Sequence, residues 1–191
     1  MCVAIPDRRD SRYQLELAGG ATMHCGSYVV NMLRFLTGAE PDVVDARAWL
    51  SAVGVDRTMV ARFRFPDGST GAMSCSLFSL HLLRISARVV AERGELRVQN
   101  PFGPHALSRF VGTGIHWITV DTGDAKRREH LPADSTYRCQ LRAFVHAIRT
   151  GATLPTGADD AVANMVVIDS VYRKAGLEEA RGLPADASMR G

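Results

Sequence analysis

The sequence predicts an α+β fold, with a mainly antiparallel, open-faced sheet and helices covering one of its faces. Three observations predict it. A helical apolar spacing lies near the N-terminus, period-2 alternation recurs through the middle between short turn signals, and two further amphipathic stretches close the chain. At 46% hydrophobic and 23% charged residues, the 191-residue chain has the composition of an ordinary globular protein. Residues 1–177 read as one domain, and residues 178–191 as a small, polar tail expected to fray.

The first element is entered through Ala18-Gly19-Gly20-Ala21. Cys25, Val29, Met32, Leu33 and Leu36 then recur at helical spacing, and Gly38 with Pro41 stops the helix. Strands are expected over residues 42–53 and 58–65. The turn Pro66-Asp67-Gly68 joins the second of these to a partner strand over 71–78. Further strands follow over 84–91, 95–99 and 116–120, with weaker signals near Leu107–Val111 and Arg127–His130. Tyr137, Leu141, Phe144, Val145 and Ile148 form one helical face, ended by Gly151. Ala161, Met165, Ile168 and Tyr172 form the next, ended by Gly176.

The net charge of +3 is mild, and arginines such as Arg62, Arg64, Arg88 and Arg127-Arg128 are scattered along the sequence. That pattern argues against a nucleic-acid partner. No apolar run reaches the ~20 residues of a membrane span, and no secretory leader is read at the N-terminus, so a cytoplasmic protein is expected. Cys2, Cys25, Cys75 and Cys139 lie in apolar segments without a C-x-x-C, which suggests buried reduced thiols. The histidines His81, His105, His116, His130 and His146 show no ligand spacing, so no metal site is expected.

The chemistry-bearing residues of the first helix are His24, Tyr28 and Asn31, at i, i+4 and i+7 on its flank. One α-helical turn would put His24 and Tyr28 within proton-transfer reach.

The stretch Gly19-Gly20-Ala21-Thr22-Met23-His24-Cys25-Gly26-Ser27-Tyr28 resembles the GG-x-L-x-D-x-G-x-[HY] motif of the Gfo/Idh/MocA oxidoreductase family. The tyrosine at the last position is similar to the family's dihydrodiol dehydrogenase branch. Phe65-Pro66-Asp67-Gly68, Glu92-Arg93-Gly94-Glu95-Leu96 and Asn100-Pro101-Phe102 continue the resemblance in order. Tyr137, Gln140, Phe144 and Ile148 follow, then Asp160-Ala161, Met165, Ile168, Asp169 and Tyr172. The resemblance covers nearly the whole chain but only the family's C-terminal half.

The resemblance implies a substrate-binding and dimerisation domain of an NAD(P)-dependent oxidoreductase, acting on a polyol, sugar or dihydrodiol. It assigns the acid/base role to Tyr28, with His24 standing where the family has aspartate and Asn31 as a substrate contact. It also implies a homodimer through the open sheet face; residues such as Phe63, Phe65, Val89 and Trp117 offer apolar area on two faces, and helices can cover only one. The family's nucleotide-binding domain would precede Met1. No G-x-G-x-x-G occurs, Gly112-Thr113-Gly114 reads as a turn, and neither Lys126 nor Lys174 has the family's E-K-P setting. No cofactor site is therefore expected in this chain, and NAD(P) would enter only with a Rossmann domain. Three readings stay open: a binding domain inactive alone, an active subunit borrowing a nucleotide-binding domain from another chain, or a redox-independent lyase or isomerase using His24 and Tyr28.

Overall fold

A computed structural model describes residues 1–3, 5, 7, 9–78, 85–101, 117–130, 135–154 and 156–182. The expected strand near Leu107–Val111, the Gly112–Gly114 turn, and His81, His105 and His116 lie outside the described residues, as does the tail beyond 182. The chain divides into two compact units, Met1–Leu83 with Ala158–Gly191, and Arg84–Gly157.

In the first unit, strands β1 (Asp42–Leu50), β2 (Asp56–Arg64) and β3 (Thr70–Ser76) form an antiparallel sheet in the order β1-β2-β3. Alternation does what the sequence demands. Met59, Ala61 and Phe63 turn inward along β2, while Arg62 and Arg64 turn outward. In the β2–β3 turn, Asp67 Oδ1 accepts from the Ser69 N–H at 2.9 Å and from its hydroxyl at 2.7 Å, and Gly68 supplies a φ of +85°. The inner face packs on helix α1 (Ser27–Thr37), the turn before it, and a C-terminal helix over Ala158–Lys174. Val30 from α1 and Val167, Ile168, Val171 and Tyr172 from the C-terminal helix join Phe63, Phe65, Met73 and Cys75 in the core. Phe63 and Phe65 are 1% and 3% exposed. They belong to the covered side, because their parity matches that of Met59 and Ala61.

The second unit holds β4 (Ser86–Ala91), β5 (Gly94–Gln99), β6 (Trp117–Asp121) and β7 (Lys126–His130), an antiparallel meander in that order. It also holds helix α2 (Thr136–Thr150). The C-terminal helix of the first unit is therefore α3. Helix α2 forms where expected, but its stripe of Tyr137, Leu141, Phe144 and Ile148 is exposed. All four cysteines are free. Cys2, Cys25 and Cys75 are buried, whereas Cys139 is exposed on α2. Among the described residues, no helix is long and apolar enough to cross a membrane, and no group of residues is placed to hold a metal ion.

Candidate functional site

The backbone enters the site through two 3-10 turns, Ser11–Tyr13 and Leu15–Leu17. Asp10 caps the first by accepting the Arg12 N–H at 2.9 Å. The amides of Gly19 and Gly20 then donate to the carbonyls of Gln14 and Arg12, at 2.8 and 2.9 Å. Gly20 has φ +131°, and a Cβ there would collide with the Asp56 carboxylate and the Arg181 guanidinium. Glycine is needed at this elbow for conformation and for space together.

What fills that space is a buried polar cluster. Asp56 is fully buried. Its Oδ2 accepts from the Thr22 N–H at 2.8 Å and the Thr22 hydroxyl at 2.7 Å. Its Oδ1 accepts from the Tyr172 hydroxyl at 3.3 Å and from Arg181. Arg181 also donates to the Gly19 carbonyl and lies 4.4 Å over the Tyr172 ring. Burial pushes the Asp56 carboxyl upward in pKa, while the Thr22 hydrogen bonds and the Arg181 charge oppose that. Four donors around one carboxylate are what a buried charge requires. Burial pushes the Tyr172 phenol upward as well. The cluster ties the elbow to β2, to α3 and to the chain beyond α3. The tail expected to fray from 178 is thus anchored at Arg181, whose side chain is buried.

From the elbow the backbone winds a π-helical turn over Thr22–Gly26, where the Ser27 N–H reaches back to the Thr22 carbonyl, before α1 continues. This corrects the expected geometry of the polar stripe. His24 lies in the wide turn and Tyr28 in the first α-helical turn, so the two are not one regular turn apart. The buried Nε2 of His24 has no hydrogen-bond partner among the described residues. Burial lowers the His24 pKa first, helped by Arg12 and Arg181 and opposed by Asp10 and Asp56. Its imidazole is therefore held neutral at physiological pH. Tyr28 is 53% exposed.

Asn31 joins α1 to the start of α3. Its amide donates to Asp160 Oδ2 at 3.2 Å, and Arg34 joins the same carboxylate at 2.8 Å and Glu40 at 2.6 Å. Asn164 donates to the Ser27 carbonyl at 3.2 Å. These bonds fasten α1 to α3 and fix the base of Tyr28. The sequence reading missed Asp56 and Arg181. By parity with Met59, Ala61 and Phe63, Asp56 should face outward. A register irregularity between Trp49 and Leu50, opposite the start of β2, turns it inward instead. Arg181 carried no signal, being one of several polar residues in a tail-like stretch.

Residues 3–97 match the GFO/IDH/MocA C-terminal domain. An uncharacterized oxidoreductase of Rhizobium meliloti, ORF334, is 30% identical over 166 residues, covering 83% of this chain and 47% of that protein. A D-xylose 1-dehydrogenase (NADP(+)) of Haloferax volcanii is 28% identical over 174 residues, covering 90% of this chain and 50% of its own length. The fold superposes on a 3-ketoreductase from Actinomadura kijaniata, solved in complex with NADP and TDP-benzene. That match has a TM-score of 0.77 at 21% identity, over 91% of this chain and 51% of the other. The chain spans about half the length of the curated relatives it matches. With the diglycine elbow, the covered sheet and these relatives in agreement, the chain belongs, through residues 3–97, to the GFO/IDH/MocA C-terminal domain family.

Proposed function

We propose that this chain is the substrate-side half of an NAD(P)-dependent oxidoreductase acting on a polyol, sugar or dihydrodiol, with Tyr28 as the acid/base. The observation that carries the reading is an exposed tyrosine on a helix whose entry is pinned by a fully buried carboxylate cluster. Such rigid support is what a proton-transferring group needs. Relatives named as a D-xylose 1-dehydrogenase and as dTDP-sugar 3-reductases support the substrate class.

The described residues do not fit a dinucleotide. The chain has no glycine-rich strand–turn–helix to seat a pyrophosphate, and Lys126 is engaged with Asp121 at 3.6 Å on the β6–β7 hairpin. Hydride acceptance is assigned to a nicotinamide held by a separate nucleotide-binding domain. In this chain the Tyr28 phenolate oxygen accepts the proton of the substrate hydroxyl during oxidation, and the phenol returns it during reduction. A cation supplied by the nucleotide-binding domain would activate the phenol for this proton transfer.

In the same reading two copies of the chain pair through the second sheet. Val89, Leu96, Val98, Ile118 and Val120 share one half-exposed face of the second sheet, whereas Trp117 falls on the other. Sedimentation at tens of micromolar is expected to give a dimer, and a monomer would remove this part. The function is tested by following nicotinamide fluorescence. The chain alone is expected to leave NADPH fluorescence unchanged, and a mixture with a family nucleotide-binding domain is expected to oxidise D-xylose or a related aldose. Micromolar NADPH binding by the chain alone would overturn the division of labour.

A further inference from the structure

The β-sheet register of the second unit gathers arginines that the sequence disperses. Directly paired residues of antiparallel strands point to the same face. Arg88 on β4 pairs with Arg97 on β5, Arg97 with Thr119 on β6, and Thr119 with Arg128 on β7. One transverse row therefore reads Arg88, Arg97, Thr119, Arg128. The next row on that face holds Glu95, Asp121 and Lys126. Four cationic side chains thus meet two carboxylates.

Like charges directly opposite each other destabilise a sheet. Glu95 relieves the first pair by bridging both Arg88, at 2.7 Å, and Arg97. Shared by two guanidiniums, that carboxyl is held down to about 2. Lys126 takes Asp121. Arg128 has no carboxylate among the described residues; its guanidinium lies 4.9 Å over the Trp117 ring. Between Arg97 and Arg128 sits Thr119, a residue 8% exposed. The two arginines are two strands apart, roughly 10 Å at the backbone, a span their long side chains can close over Thr119. A threonine hydroxyl flanked by two guanidiniums, in a row with more cations than carboxylates, is a cradle for a tetrahedral oxyanion.

We propose that the Arg97–Thr119–Arg128 row binds a phosphoryl group, with the Thr119 hydroxyl donating to one oxygen and the two guanidiniums taking the others. Arg128 is pre-oriented by its stacking on Trp117, which lowers the entropy lost on binding. Arg88 and Lys126 add long-range attraction that salt will screen. The site lies on the face of the sheet opposite Val89, Leu96 and Val120, and it does not depend on the role given to Tyr28.

The test is an amide NMR titration of the full chain with inorganic phosphate and with pyrophosphate at low ionic strength. Saturable shifts are expected at Arg97, Thr119 and Arg128, with pyrophosphate about tenfold tighter than phosphate. Arg97→Gln and Arg128→Gln should each weaken binding by about 5- to 10-fold, and Thr119→Val by about 3-fold. Arg62→Gln, on the other sheet and paired there with Asp45, should change nothing. A parallel titration with glucose 6-phosphate reports the source. Affinity equal to that of phosphate supports a site for the phosphoryl group alone, and tighter binding with shifts at Trp117 supports a phosphorylated sugar. Shifts that do not saturate, or Arg97→Gln and Arg128→Gln variants that bind like the parent, would overturn the proposal.

Discussion

Gly20 and His24 are both constrained by the buried surroundings of the elbow. A Cβ at position 20 has nowhere to go, because the Asp56 carboxylate and the Arg181 guanidinium already occupy its place, and φ is +131°. Gly20→Ala should cost about 3 kcal/mol or more, from backbone strain and overpacking together, and urea unfolding measures it. His24 carries a different signature. Its folded-state pKa is lowered, chiefly by burial, so the folded protein holds fewer protons on this ring than the unfolded chain. Stability attributable to it is unaffected well above its ordinary value of 6.5 and declines as pH falls through that value toward the lowered one. A histidine-specific NMR titration should place its midpoint below 6.5, and a midpoint above that value would contradict the burial argument.

At the scale of elements, α1 is held at both ends by side chains that a helical wheel does not reveal. Arg34, nearly buried, bridges Glu40 and Asp160, and so joins the end of α1 to the start of α3. Because both carboxylates reach solvent, Arg34→Gln should cost about 1–2 kcal/mol rather than the larger penalty of a fully buried pair. Arg34 lowers the Glu40 pKa, so this stabilisation is present above the ordinary value of 4.5 and is lost as pH falls through the depressed one. Acid unfolding of the parent and of Glu40→Gln should converge at low pH. The helices, the first three strands and the Pro66-Asp67-Gly68 turn were legible in the sequence, because each rests on local periodicity or turn chemistry. The π-helical turn was not, since Thr22–Gly26 carries an ordinary helical pattern, and the Thr22–Asp56 bonds at its start join residues 34 positions apart. Nor was the arginine row, which exists only once three strand registers are known. The face of α2 was read correctly as apolar, yet its exposure depends on what surrounds it rather than on its own sequence.

At the scale of the whole molecule, burial sorts the thiols. Cys25 is pushed up to about 11 and Cys75 to about 12 by burial, whereas Cys139 is exposed. A thiol reagent at neutral pH should modify Cys139 in seconds to minutes, and the other three only after denaturation. Rapid native-state modification of Cys25 or Cys75 would show that the core opens. The larger claim is that the elbow, the Asp56 cluster and the α1–α3 fastening exist to hold one phenol in place. Its most direct test is the turnover of an aldose by the chain combined with a family nucleotide-binding domain, comparing the parent with Tyr28→Phe. The substitution keeps the ring, 53% exposed, and removes only its hydroxyl, and circular dichroism of the variant checks that the fold survives. The account predicts a fall in kcat of about 10²- to 10⁴-fold with little change in KM, and a variant within twofold of the parent would contradict it.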